Sequence, residues 1–440
     1  MIKPYTNYVS SDIEWVEKVP KDWTSVPFYT VASESKLSNK GMIEDNLLSL
    51  SFGRIKRKSI DTQGGLLPAS FETYQIVHEN DIIFRLTDLQ NDKRSLRSAQ
   101  CRERGIITSA YVAVTPSTIR SRYLHYLMRA YDETKVFYNL GAGMRQSLKY
   151  DELKRLPIIL PPELTQQAIE VFLDRETQRI DNLIEEKQTF INLLKEKRQA
   201  LISHLVTKGL ILDVEMQDSG IEWIGQVPKH WVVKKIKYDV LGIEQGWSPQ
   251  CESTPVQDDN TWGVVKVGCV NRGIFNPEQN KKLPEELEPR KEYTIKKDDL
   301  LVSRANAKEW VGSAAVPQRD YDNLLLCDKI YRIKLDLNQA NPEFFAYYLA
   351  SDQAREQIEI DATGTSSSML NIGQGTILNM PITAPDLSEQ QSIVQGLKNK
   401  TSQIDRLVFE VFESIELLKE HRTSLINATV TGKIDVRGTI

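Results

Sequence analysis

The chain has 440 residues, 40% of them apolar and 26% charged, with a formal net charge of −4. This length exceeds one ordinary core and fits two domains with connectors, at the composition of a water-soluble globular protein. No apolar run approaches the roughly 20 residues that span a bilayer as a helix, and the small acidic excess argues against a chain that grips nucleic acid unaided.

The opening Met1-Ile-Lys-Pro-Tyr-Thr-Asn-Tyr8 has no hydrophobic core region, so no secretory leader is expected. Ser11-Asp-Ile-Glu-Trp15-Val-Glu-Lys-Val-Pro20-Lys-Asp-Trp23 is the first distinctive segment. It returns as Ser219-Gly-Ile-Glu-Trp223-Ile-Gly-Gln-Val-Pro228-Lys-His-Trp231, with 8 of 13 positions identical. Strands are predicted at 47–52, 81–85 and 106–114, and a short amphipathic helix at 123–131. Leu156-Pro-Ile-Ile-Leu-Pro161, followed by Gln166-Gln167, opens a long helix from about Thr165 to Leu205. Thr165 is its expected N-cap and Gly209 its left-handed C-cap.

The second half repeats this order with other residues between the repeated segments. Strands are predicted at 262–267, 299–303 and 329–335, and a short helix at 342–350. Met380-Pro-Ile-Thr-Ala-Pro385 with Gln390-Gln391 then opens a second long helix, capped by Ser388 and ended by Gly432. Each helix would be about 60 Å long at 1.5 Å per residue. Ile169 and Leu173 begin the apolar stripe of the first, and Ile180, Leu183, Phe190, Leu194 and Leu201 continue it. Ile393, Leu397, Ile404, Leu407, Val411, Ile415, Leu418 and Leu425 mark the second. A narrow stripe on so long a helix needs a partner, and the other copy is the cheapest one. Packing of each helix onto the globular parts is the plainer alternative.

The expected fold is therefore α/β (α+β): two mixed domains in pseudo-two-fold repeat, separated by two long antiparallel helices forming an intramolecular coiled coil. The first domain covers 1–160, the first helix 161–212, the second domain 213–384, and the second helix with its tail 385–440. The first domain is mildly basic, since residues 1–162 hold 23 Lys and Arg against 18 Asp and Glu. Residues 215–384 hold 19 against 25.

Catalytic chemistry is not visible. Asn/Asp-Pro-Pro-aromatic, which holds a flipped adenine for methylation, does not occur, nor does a Gly-x-x-x-x-Gly-Lys-Ser/Thr phosphate loop. Asp174 with Glu185-Glu-Lys187 superficially fits a nuclease spacing but falls on a solvated helix face. Cys101, Cys251, Cys269 and Cys327 form no Cys-x-x-Cys pair and no ligand spacing with the five histidines. Reduced thiols in a cytoplasmic protein, with no metal and no catalytic residue, are expected.

Taken in order, the lead-in segments at 13–23 and 221–231 and the Pro-rich segments running through Gln-Gln into long helices at 156–167 and 380–391 resemble the specificity (S) subunit of type I restriction-modification systems. The resemblance covers essentially the whole chain. It implies that each domain reads one half of a bipartite, asymmetric double-stranded DNA target, and that the helices hold a fixed spacing. It further implies docking of two methyltransferase (M) subunits and of restriction (R) subunits, which would carry S-adenosylmethionine, ATP and Mg; this chain would bind no cofactor. An architectural coiled-coil scaffold with two protein-binding domains is the alternative.

Base and phosphate contacts need Arg, Lys, amides and hydroxyls on loops beside strands. In the first domain these are Arg54, Lys56, Arg57 and Lys58, then Arg85, Gln90, Asn91, Lys93, Arg94 and Arg97, and Arg145 in a Gly-rich segment. In the second they are Lys266, Asn271, Arg272, Arg304, Asn306, Lys308, Ser366 and Ser367. Trp247 is read as a packed loop aromatic rather than a stacking platform.

Overall fold

The repeated segments of the sequence become repeated joints. In the computed structural model, which describes residues 3–60, 70–89, 95–140, 147–211, 213–256, 258–366 and 369–439, the chain forms two units. One comprises residues 1–188 with 412–440, the other 189–411.

Trp23 and Trp231 are both buried. Each sits against the glycine that ends a long helix: a Cβ on Gly432 would lie 3.2 Å from the Trp23 ring, and one on Gly209 3.3 Å from the Trp231 ring. Both glycines have positive φ, 73° and 78°, so the expected left-handed caps are present; a side chain would crowd the ring at either one and would collide with Pro20 at Gly432. Thr24–Pro27 then pairs with Pro157–Leu160, and Val232–Lys235 with Pro381–Ala384, both antiparallel. Lys3 bridges to Asp435 and the Tyr8 hydroxyl donates to the Gly432 carbonyl at 3.1 Å, so the first unit is closed by the two ends of the chain.

Each unit holds the same four-stranded antiparallel sheet. In the first its order is Ser98–Gln100, Ile82–Phe84, Val112–Pro116, Ala32–Ser35. In the second it is Ala314–Ala315, Leu300–Ser303, Ile330–Leu335, Val240–Gln245. The tight turn before the second strand is also repeated. Asn80 and Asp298 take positive φ, and the next residue, Asp81 or Asp299, accepts from the backbone N–H of His78 or Lys296 at 2.8 and 2.9 Å. The single strand expected over 106–114 is two, Gly105–Ile107 and Val112–Pro116, because a turn closes between them with Tyr111 N–H donating to Thr108. Helices Ser121–Glu133 and Pro342–Leu349 cover the sheets with Tyr123, Leu127, Phe344 and Phe345.

The long helices run Glu163–Lys208 and Leu387–Val430. Thr165 and Ser388 lie inside their first turns rather than capping them; Asp386 is the cap of the second, accepting from Glu389 N–H at 2.9 Å. The first glutamine of each Gln-Gln pair is a buried clamp. Gln166 accepts from Arg120 N–H at 3.0 Å and donates to the Pro161 carbonyl at 2.8 Å. Gln390 accepts from Asn341 N–H at 2.9 Å and donates to Pro385 and Gln339, both at 3.0 Å.

Within each unit the two helices pack antiparallel. In the first, Ile169 and Leu173 cluster with Ile426 and Val430, and Arg422 donates to Asp181 at 2.9 Å. In the second, Ile202 and Val206 cluster with Ile393 and Leu397, and Arg198 donates to Asp405 at 3.0 Å. The period of the buried stripe differs from the heptad of an ordinary coiled coil. Ile169, Ile180, Ile191 and Ile202 on one helix, and Ile393, Ile404, Ile415 and Ile426 on the other, are all buried at eleven-residue steps. Leu194 is buried too, while Leu183, Leu201, Val411, Leu418 and Leu425 are half-buried flanks. Phe190 and Leu407, expected in the seam, are 46% and 43% exposed. An eleven-residue repeat advances 3.67 residues per turn, close to the straight helix, so the buried face passes to Ile191 where a heptad would have kept Phe190.

Candidate nucleic-acid interface

In the first unit Leu48–Ser51 and Arg54–Arg57 form a hairpin, with Ser49 opposite Lys56 and Ser51 opposite Arg54. Strand alternation sends Leu48 and Leu50 into the core and leaves Ser49, Ser51, Arg54 and Lys56 on the open face. This face borders a cleft of about 490 Å³ lined also by Arg57, Lys58, Arg85, Thr87 and Tyr111. The structure thus brings Lys56, Arg57, Lys58 and Arg85 together, with no acidic side chain among the described residues of the cleft wall. Among the described residues Lys56, Lys58 and Arg85 make no ion pair, whereas Arg57 donates to Glu103 at 2.8 and 2.9 Å and holds that carboxyl below its ordinary range. Arg54 is largely exposed and lies 3.9 Å from Asp181, a carboxylate already held by Arg422.

Arg97 corrects the sequence reading. It is fully buried and donates to the carbonyls of Thr87 (3.2 Å) and Asp88 (3.4 Å) and to the Tyr138 hydroxyl, so it fixes the base of its loop from inside. A guanidinium so enclosed cannot reach a base edge. Its backbone N–H donates to Asp132, whose carboxyl burial pushes up to about 6. Gln90, Asn91, Lys93, Arg94, Arg145 and Ser367 lie outside the described residues, as do the side chains of Arg272 and Ser366.

The second unit's candidates are bound to one another. Ala305–Asn306 pairs with Met369–Asn371, which pairs with Thr363–Ser366, bringing Arg304, Asn306 and the Ser366 strand into one small sheet. The Asn306 amide donates to Asn271 at 3.2 Å and Ser303 at 3.3 Å. Arg304 donates to the Asp328 carbonyl at 3.3 Å and lies 5.9 Å from the Tyr331 ring, with its Nε buried and lacking a partner among the described residues. Lys308 pairs with Glu359 at 3.5 Å, and Lys266 is half-buried with its N–H on the Gln279 carbonyl. Arg290 lies 4.5 Å from the ring of Trp247, which packs at the rim of a core cluster, as expected.

Sequence reasoning missed Ser49, Ser51 and Tyr111 as cleft residues. The Leu-Ser-Leu-Ser alternation was the available signal for the serines; Tyr111 arrives by tertiary folding alone. Among the described residues no cluster of three or more His, Cys, Asp or Glu is placed to hold a metal. No helix among the described residues is long and apolar enough to cross a membrane.

Residues 228–408 match the family of the type I restriction modification DNA specificity domain. The specificity subunit of the type I restriction enzyme EcoEI of Escherichia coli is 26% identical over 182 residues, covering 41% of this chain and 31% of that protein. The StySPI specificity subunit of Salmonella potsdam is 20% identical over 314 residues, covering 70% and 64%. The chain thus spans less than two thirds of the length of either relative. A chain solved in work on complex assembly and conformational transition of the type I R-M system superposes with TM-score 0.69 at 15% identity, covering 94% of this chain and 99% of that one. The HsdS subunit of Thermoanaerobacter tengcongensis gives 0.52 at 14%, covering 94% and 98%. With two copies of one sheet, one glutamine clamp and one tryptophan-on-glycine joint, the chain shares the fold of these solved chains, and residues 228–408 carry its similarity to the type I restriction modification DNA specificity domain.

Proposed function

We propose that the chain is the non-catalytic DNA-specificity subunit of a cytoplasmic type I restriction-modification complex. The domains at 1–160 and 213–384 each read one half of a bipartite, asymmetric target. Two methyltransferase subunits and the restriction subunits supply S-adenosylmethionine, ATP and Mg chemistry.

One observation carries this reading: the same four-stranded sheet and the same joints present two unlike polar surfaces. The basic cleft beside the hairpin suits phosphate and guanine edges, and the Asn271, Arg304 and Asn306 cluster offers amide and guanidinium donors for bases. Docking of partner helices is supported within the second unit by Phe190 and Leu193 on one helix and Leu407 and Phe409 on the other, all exposed. Apolar side chains of that size on a helix pair favour a covering protein surface.

Selection from a random duplex pool, using the chain assembled with its methyltransferase partner, tests the proposal. A bipartite motif with a fixed spacer is expected. Binding of all sequences alike would favour the scaffold reading, and methylation or cleavage by the purified chain alone would overturn the non-catalytic one.

A further inference from the structure

The tip of the hairpin Leu48–Arg57 breaks a local rule. Its two loop residues, Phe52 and Gly53, have φ of 46° and 70°, the pattern of a tight hairpin turn that Asn-Gly satisfies best. A phenylalanine is disfavoured in that backbone region, and this one is also 72% exposed. The turn is held from beneath by Arg129, which is buried and donates to the Gly53 carbonyl at 2.7 Å and the Ser98 carbonyl at 3.2 Å. A side chain at Gly53 would collide with that guanidinium. The fold therefore fixes Phe52 outward in a conformation that phenylalanine resists. Contacts within the described chain do not explain the choice of residue.

Its surroundings indicate the partner. The hairpin from Leu48 to Lys58 carries Arg54, Lys56, Arg57 and Lys58 and no acidic residue, and its open face continues into the basic cleft. A two-stranded ribbon fits the major groove of duplex DNA, where the apolar group on offer is the thymine methyl.

We infer that the hairpin enters the major groove of the first half-target and that Phe52 reads a thymine through its methyl group, with Arg129 as the positioning residue. This rests on the proposed function. Ser49, Ser51, Arg54 and Lys56, on the open face, then meet base edges or phosphates on either side.

The test uses the chain assembled with its methyltransferase partner and the duplex found by pool selection. Each thymine of the first half-target is replaced in turn by deoxyuridine, which deletes the methyl alone. For the unaltered protein one such replacement should weaken binding about four-fold, the worth of one buried methyl. Phe52→Asn should bind the thymine duplex at least as weakly and show no further loss with uracil. Its thermal midpoint should not fall, since Asn-Gly suits the turn. Binding by Phe52→Asn equal to the unaltered protein on every duplex would overturn the inference. So would a lowered midpoint with uniform loss at all positions, which would make Phe52 a structural residue. Loss on substitution with no uracil effect would overturn the methyl contact in favour of a wedge between base pairs. If the unaltered complex selects no motif at all, the proposed function itself fails, a result distinct from these.

Discussion

The two units solve one position of their shared sheet in opposite ways. Ala113 in the first stands opposite Ile83 in a buried apolar cluster, and Arg332 in the second stands opposite Leu301. Arg332 is almost fully buried, meets Glu244 at 2.9 Å and Asp299 at 3.6 Å, and donates to the carbonyls of Thr294 and Glu292 at 2.6 Å. The joints do not vary in this way: a tryptophan sits over a helix-ending glycine, and a buried glutamine ties the long helix to the start of a short one, in both. The frame accordingly tolerates different cores but not different joints, and the exposed surfaces above those cores are left free to diverge.

Breaking the ionic core should cost most. Arg332→Ala leaves Asp299 buried without its cation and should destabilise the second unit by about 3–5 kcal/mol in urea unfolding. Arg57→Ala, which removes an exposed pair with Glu103 in the first unit, should leave the unfolding midpoint unchanged. Equal effects would show that burial does not separate the two pairs.

The helix stripe gives the next contrast. Ile191→Ala should cost about 2–4 kcal/mol, the usual loss for a buried large-to-small change, whereas its exposed neighbour Phe190→Ala should leave stability intact. The same assay on Gln166→Ala and Gln390→Ala should give matched losses of about 2–3 kcal/mol, because each strands a half-buried N–H and a buried carbonyl. A large difference between the two glutamines would deny that the joints are equivalent.

Two buried aspartates should then behave oppositely. Asp132 in the first unit has its carboxyl raised to about 6, chiefly by burial, with the Arg97 N–H and the Arg129 charge acting against the rise. The folded state binds its proton more tightly than the unfolded state, where the carboxyl titrates near 3.9. Its contribution is therefore most favourable below pH 4 and is lost as pH rises through 6. Asp132→Asn should stabilise the protein by about 2 kcal/mol at pH 7, and the gain should vanish by pH 4. Asp239 in the second unit is equally buried but meets Lys234 at 2.6 Å, so Asp239→Asn should destabilise at pH 7 by leaving that ammonium without its anion.

How much of this was legible follows from what each signal depends on. The order of both halves could be read because it rests on local chemistry, such as glycine caps, proline stops and strand alternation. The seam was misplaced at Phe190 and Leu407 because adjacent apolar residues leave its phase to packing, and the eleven-residue spacing of isoleucine was the overlooked clue. Arg97 looked like a solvated loop cation because burial is a tertiary property; its carbonyl partners, Thr87 and Asp88, carry no signature in sequence. Phe52 gave no turn signal, since Phe-Gly is a poor version of Asn-Gly.

The proposal at the centre of the account, that a constant frame carries two independent readers of DNA, is tested most directly by exchange. Residues from about 25 to 155 would be replaced by the matching segment of a similar specificity subunit, the chain assembled with the proposed methyltransferase subunits, and the methylated sites mapped. One half of the recognised sequence should change while the other half stays as it was. A change in both halves, or in neither, would contradict the account.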